Sequence, residues 1–135
     1  LLKPREVAIS KNTDLAKVFD IKEIYFDLNK SDIRPDAAVE LAKIVEVMKE
    51  YPKMKIDIRS HTDSRASDAY NLALSDRRAK STLEWIVKQG IERKRLTAKG
   101  YGETRLVNGC SNGVPCTEEE HQANRRSEFI IVSME

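Results

Sequence analysis

Met54-Lys55-Ile56-Asp57-Ile58-Arg59 runs into Ser60-His61-Thr62-Asp63-Ser64, and then into Asn71-x-x-Leu74-Ser75-x-x-Arg78-Ala79. Met54, Ile56 and Ile58 alternate with Lys55, Asp57 and Arg59, the period of a half-buried strand with one face on a core. Residues 61–66 form a loop, and Ser67 stands where a helix N-cap belongs. The helix that follows runs to Gln89, with Gly90 as its C-terminal stop. At about 100° per residue, Leu72, Ala79, Leu83 and Ile86 fall on one side of it, with Val87 on the margin. They form the expected core stripe. Asn71, Leu74, Ser75, Arg78, Thr82 and Trp85 fall on another side. A solvated face would carry mostly Lys, Glu and Arg. This mixed stripe reads instead as the wall of a small polar cleft.

Upstream, Ile24, Phe26 and Leu28 alternate with Tyr25 and Asp27, which predicts a strand. Asn29-Lys30-Ser31-Asp32 is a turn cluster. Pro35 suits the first position of a helix, and Asp36 in that first turn complements the helix dipole. Ala38, Leu41, Ile44, Val45 and Met48 recur at helical spacing, and the helix should stop before Tyr51-Pro52. Residues 1–20 have no clear period and are expected to be a linker or an N-terminal edge segment. Downstream, residues 95–102 read as a strand closed by a glycine turn at Gly100 and Gly102. Residues 104–123 form a polar excursion, and Phe129, Ile130, Ile131 and Val132 make the last strand. The order β-α-β-α-β-β predicts an α+β fold, a two-layer sandwich of a mixed sheet with helices on one face.

At 135 residues the chain has room for one core. Its net charge of +2 leaves no electrostatic footprint for nucleic acid. No apolar run approaches the ~20 residues that cross a bilayer. The start at Leu1 reads as a cut inside a longer protein, with any membrane anchor outside it. Cys110 and Cys116 have five residues between them, an unusual zinc spacing with no second pair. Two free thiols or a short disulfide-closed loop are the alternatives. The turn-rich residues 108–116, with nothing else to hold one shape, favour the disulfide.

Asp63 and Arg78, fifteen residues apart, sit on the loop and on the mixed helix face. Asp63 suits an ammonium, and the planar fork of Arg78 suits a carboxylate in a way that Lys cannot match. From spacing alone, an ion pair between the two residues explains them equally well. His61 has only His121 as a fellow histidine, too few ligands for a metal, so it reads as a hydrogen-bonded structural residue. No Gly-rich phosphate loop or nucleophile–base pair stands out.

Five blocks in order resemble the OmpA-like peptidoglycan-binding domain, the OmpA, Pal and MotB type, over residues 21–135. They are Ile24-Tyr25-Phe26-Asp27, His61-Thr62-Asp63-Ser64, Asn71-x-x-Leu74-Ser75-x-x-Arg78, Gly100-Tyr101-Gly102-Glu103 and Asn124-Arg125-Arg126-Ser127-Glu128. The resemblance implies that Asp63 and Arg78 bind the zwitterionic end of meso-diaminopimelate in a peptidoglycan stem peptide. It adds Asp27 and Asn29 from the loop after the first strand. Thr62, Ala66, Asn71 and Leu74 would line or brace the pocket, with turn former, spacer, helix cap and packing residue as their plain alternatives. Asn124 and Arg125 would support it from the head of the last strand.

Ser60 stands where the family commonly has glycine, and Arg65-Ala66-Ser67 replaces its small-residue turn. The cysteine excursion is longer than usual and resembles that of envelope proteins in bacteria with type IX secretion. The expected function is non-catalytic wall binding on the periplasmic side of a Gram-negative outer membrane, without cofactor, metal or nucleic acid. The parent would be a porin, an outer-membrane lipoprotein or part of a secretion apparatus. The rivals are a protein–protein module whose cleft holds a partner's C-terminus and, further off, a cell-wall hydrolase.

Overall fold

The computed structural model describes residues 13–19, 21–26, 30–62, 67–102, 108–110 and 113–134. Its elements are α1 (Leu15–Val18), α2 (Pro35–Glu50), β1 (Lys55–Ser60), α3 (Asp68–Lys88), β2 (Leu96–Gly100), α4 (Glu118–Asn124) and β3 (Ser127–Ser133). The sheet order is β2-β1-β3. β1 pairs parallel with β2, from Ile56 opposite Leu96 to Ser60 opposite Gly100. It pairs antiparallel with β3, with Ile58 opposite Phe129 and Ser60 opposite Ser127. This is a mixed sheet in an α+β fold.

The element ends follow local chemistry. Pro35 opens α2 and Tyr51 caps it. Ser67 Oγ accepts the Tyr70 N–H at 3.2 Å at the head of α3, and Gly90 leaves the other end at φ 104°. α2 turns Ala37, Leu41, Ile44, Val45 and Met48 inward. They meet Ile56, Ile58, Leu96, Phe129 and Ile131 of the sheet and Ala79 and Ile86 of α3 in one cluster. Arg95 lies in a single 3₁₀ turn before β2 rather than in the strand. Its guanidinium donates to the Met48 and Tyr51 carbonyls, both at 2.7 Å, and to that of Met54 at 2.9 Å. The first two are carbonyls at the C-terminal end of α2, where helical partners run out.

The strand expected at 24–28 is absent from its described part, residues 24–26. Its alternation is a real burial pattern: Ile24 is buried, and Phe26 packs against the core. What fails is the pairing, because other groups already hold the outer edge of β3. The Ser127 N–H donates to Glu23 Oε1. The Phe129 N–H donates to Asp14 Oδ1 at 3.1 Å, and the Ile131 N–H to the Thr13 carbonyl at 2.9 Å. Three alternate edge donors thus find two carboxylates and a loop carbonyl in place of a neighbouring strand.

The expected excursion contains helix α4. Its start carries a capping box at Thr117-x-x-Glu120. Thr117 N–H donates to Glu120 Oε1 at 2.9 Å, and Glu120 N–H to Thr117 Oγ1 at 3.2 Å. That signal lies in the sequence, and the acidic run hides it. Cys110 and Cys116 form a disulfide.

Candidate functional site

The cleft-wall stripe of α3 is in fact its buried face. Asn71, Ser75, Arg78 and Thr82 are all within 2% of full burial, while Leu72, expected in the core, is 50% exposed. Apolar periodicity misassigns the face because its polar groups bond locally. Ser75 Oγ donates to the Leu72 carbonyl and Thr82 Oγ1 to that of Arg78, each at 2.9 Å. Residues whose hydroxyls are satisfied within their own helix can face a sheet at little cost.

The close approach itself comes from two glycines. A Cβ on Gly100 would stand 2.1 Å from the Asp76 backbone nitrogen, so β2 touches the α3 backbone there. Gly102 has φ +56°, and a Cβ on it would come within 3.1 Å of Leu72 N. Its N–H donates to Ser75 Oγ at 2.8 Å, and its carbonyl accepts from Thr62 N–H at 2.9 Å. The sequence reading assigned this pair only a turn. The pair instead sets the distance between sheet and helix at the end of β1 that carries Thr62. A Gly-x-Gly closing a strand, a sign of close backbone approach, was the signal available.

Arg78 lies farther along α3 from that corner, 2% exposed. Its Nε donates to the Lys30 carbonyl at 2.8 Å, and its guanidinium carbon lies 5.0 Å from the centroid of the Phe26 ring. The carbonyl and the ring fix the plane of the guanidinium. Thr62, Asn71 and Leu74 are buried near the same corner. Asp63, Ala66, Asp27 and Asn29 lie outside the described residues.

Across β1, His61 is 1% exposed and makes a 2.9 Å contact from Nε2 to Glu128 Oε1. Its ring stacks on Tyr101 at 5.5 Å between centroids. The contact holds the Glu128 carboxyl down at about 2, aided by the charge of Arg126. Glu23, at the other side of β3, is pushed up to about 7 because burial outweighs its bond from Ser127.

Asn124 is fully buried and donates to Asn108 Oδ1 at 2.9 Å. The same oxygen accepts the Cys110 N–H at 3.2 Å. Asn124 thus ties the cysteine loop to the root of β3. Arg125 pairs with Glu118 of α4 at 2.6 Å. Among the described residues, one group with metal-ligand spacing occurs, Cys110, Cys116 and Glu120, and its two sulfurs are bonded to each other.

A model of the OmpA family matches residues 25–122. The chain belongs to the OmpA family. It is 38% identical to outer membrane porin F of Pseudomonas fluorescens over 81% of this chain and 32% of that protein. It is 39% identical to the peptidoglycan-associated lipoprotein of Brucella melitensis over 64% of this chain and 52% of that protein. A stretch of the Gloeobacter violaceus photosystem I P700 chlorophyll a apoprotein A2 is 42% identical over 82% of this chain, but this is 13% of that protein. The chain therefore spans about half or less of these curated relatives. The crystal structure of the Burkholderia pseudomallei peptidoglycan-associated lipoprotein shares the fold, with a TM-score of 0.74, 23% identity, and coverage of 84% of this chain and 92% of that one.

Proposed function

We propose that the domain binds peptidoglycan through the meso-diaminopimelate of a stem peptide, and so fastens a larger protein on the periplasmic side of an outer membrane to the cell wall. The observation that carries this reading is the placement of Arg78. A guanidinium is oriented by the Lys30 carbonyl and the Phe26 ring, on the helix that follows the His61-Thr62-Asp63 loop. In this reading Arg78 takes the side-chain carboxylate of diaminopimelate, and Asp63 takes its ammonium. Asp27, Asn29, Thr62, Ala66, Asn71 and Leu74 shape the surround. The names of the porin and lipoprotein relatives support an envelope setting.

Lysine lacks the side-chain carboxylate of diaminopimelate. A lysine stem would offer Arg78 no carboxylate, a loss of roughly 2–5 kcal/mol for a buried charge-assisted contact. That is about thirtyfold or more in affinity. Calorimetric titration with the two stem tripeptides, on the wild type, Arg78→Lys and Asp63→Ala, tests it. Each variant should weaken the diaminopimelate form, with circular dichroism showing that it remains folded. Equal affinity for both tripeptides, or full binding by folded variants, would refute the site.

A further inference from the structure

The strand directions give the fold two ends. β1 begins at Lys55, β2 begins beside it just after the 3₁₀ turn Arg93–Arg95, and α2 and α3 both finish at that level. β3 runs the other way and ends there, with Ser133 opposite Lys55. Thr62, Gly102 and Asn71 lie at the other end, one length of β1 or ~20 Å away. Arg78 stands ten residues before Lys88 on α3, a rise of ~15 Å.

The end with Lys55 is basic. Lys49, Lys53, Lys55, Lys88, Arg93 and Lys94 are all exposed there. The buried Arg95 adds a seventh charge, bonded to three carbonyls and to no carboxylate among the described residues. Three acids oppose them, Glu50, Glu84 and Glu92. The C-termini of two helices offset about one more charge, which leaves an excess of about three, more than the +2 of the whole chain. Helix dipoles account for Lys49 and Lys88, each in a last turn. They do not account for Lys53, Lys55 and Lys94, which stand outside both helices. Lys53 and Lys55 form no ion pair among the described residues, and Lys94 has only an exposed one with Glu92 at 3.3 Å.

We propose that this end is a membrane-facing surface, which docks on the anionic headgroups of a lipid leaflet while the opposite end holds the wall. The inference rests on the envelope placement proposed above. The cations come from α2, the turn after it, β1, α3 and the 3₁₀ turn, so the charge is spread across the whole end. A spread field of ammonium groups suits a plane of headgroups, whereas a single anion is met by converging, bidentate donors. Near an anionic leaflet each such cation is worth about fivefold in affinity. Thr13, the first described residue, lies at this end too, its carbonyl bonded to the Ile131 N–H two residues from Ser133. A tether joining the domain to a membrane through its N-terminal side would meet the fold here, beside the lysines.

Co-sedimentation with lipid vesicles tests it, using phosphatidylcholine alone and a mixture of phosphatidylcholine with phosphatidylglycerol. The wild type should bind the anionic mixture about a hundredfold more tightly than the neutral lipid. That preference should vanish at ~0.5 M salt, where screening is nearly complete beyond a few ångströms. A Lys53→Gln, Lys55→Gln, Lys94→Gln triple variant leaves this end near neutrality and should lose about a hundredfold in binding to the mixture. A Lys43→Gln, Lys80→Gln, Lys99→Gln triple variant removes the same charge elsewhere. It should stay within about threefold of wild type.

No preference for the anionic mixture, a preference that survives salt or the Lys53, Lys55 and Lys94 changes, or an equal loss in the second triple variant would each overturn the membrane surface. Binding of poly-glutamate at this end without binding of anionic vesicles would assign it to an acidic protein, and the proposal would fail. The wall reading is measured apart, by the diaminopimelate tripeptide. The Lys53, Lys55 and Lys94 variant should bind the tripeptide as the wild type does, and the tripeptide should not displace the wild type from vesicles. A wild type that ignores the tripeptide defeats the wall reading alone. Competition between tripeptide and vesicles would mean that one surface serves both, and would overturn the two-ended arrangement.

Discussion

The two flanks of β1 are held by different physics. On the β2 side the constraint is steric: strand and helix backbones meet at Gly100 and Gly102, with Ser75 bonded between them. On the β3 side the constraint is largely polar. His61 meets Glu128, Glu23 and Asp14 accept edge N–H groups, and Asn124 ties in a disulfide loop. The first flank carries Arg78 on its helix. The proposed ligand clamp would need a fixed distance between elements, and backbone contact supplies one that neither pH nor redox state alters. The second flank instead holds charged and covalent contacts, at Glu128, Glu23 and the disulfide loop.

Gly100→Ala is the harshest way to break the first flank. Its Cβ would meet backbone atoms at 2.1 and 2.5 Å, which no rotamer can relieve. Overpacking of this kind should cost about 3 kcal/mol or more, and lower the melting temperature by roughly 10 °C. Gly109→Ala is the matched control on the second flank. A Cβ there meets nothing within 4 Å, so its melting curve should overlay the wild type. Thermal melts of the two variants that shift alike would show that the steric contrast is wrong.

The limits of the sequence follow from the same contrast. Where one residue's chemistry sets the backbone, the reading held: Pro35 opens α2, Ser67 caps α3, and Gly90 releases it. Where partners from distant sequence decide, it failed. Leu72 is exposed because its helix turns a locally satisfied polar face toward the glycines. Residues 24–26 alternate like a strand, yet carboxylates at positions 14 and 23 had taken the donors such a strand would need. The Thr117-x-x-Glu120 box was legible and went unread. Of the candidate site, Arg78 was legible as a residue type on a helix, but its enclosure by Phe26 and Lys30 depends on contacts some fifty residues away in sequence.

Changing pH should act on the second flank, with opposite signs at its two acids. Glu128 has a folded pKa depressed to about 2. Its contribution is present above the ordinary value of ~4.5 and is lost as pH falls through about 2. Glu23 has a folded pKa raised to about 7. Its contribution is present below ~4.5 and is lost as pH rises through about 7. Each is worth at most ~3 kcal/mol across its window, at 1.36 kcal/mol per pKa unit. Urea unfolding from pH 2 to 8 should therefore show stability falling on both sides of a mildly acidic optimum. Glu23→Gln should flatten the neutral limb, and Glu128→Gln the acid limb. If neither limb changes, the assigned charges do not govern this flank.

The smallest effect should come from opening the cysteine loop. Closing a ring of about seven residues is worth ~2 kcal/mol in the chain-entropy model. Cys110 is 1% exposed but stands outside the main core cluster. Its connection to the fold runs through Asn108 to Asn124 and the root of β3. A Cys110→Ala, Cys116→Ala double variant should lose about that much stability, and amide exchange should quicken first around 108–124. Alanine avoids placing a hydroxyl at the buried Cys110 position. The loss should not reach the first flank, because Gly100, Gly102 and Ser75 share no bond with the loop among the described contacts. Affinity for the diaminopimelate tripeptide should then stay within about twofold of wild type. A tenfold drop, 1.4 kcal/mol, would mean that the loop sets the spacing at Arg78 after all, and that the two flanks are one mechanical unit.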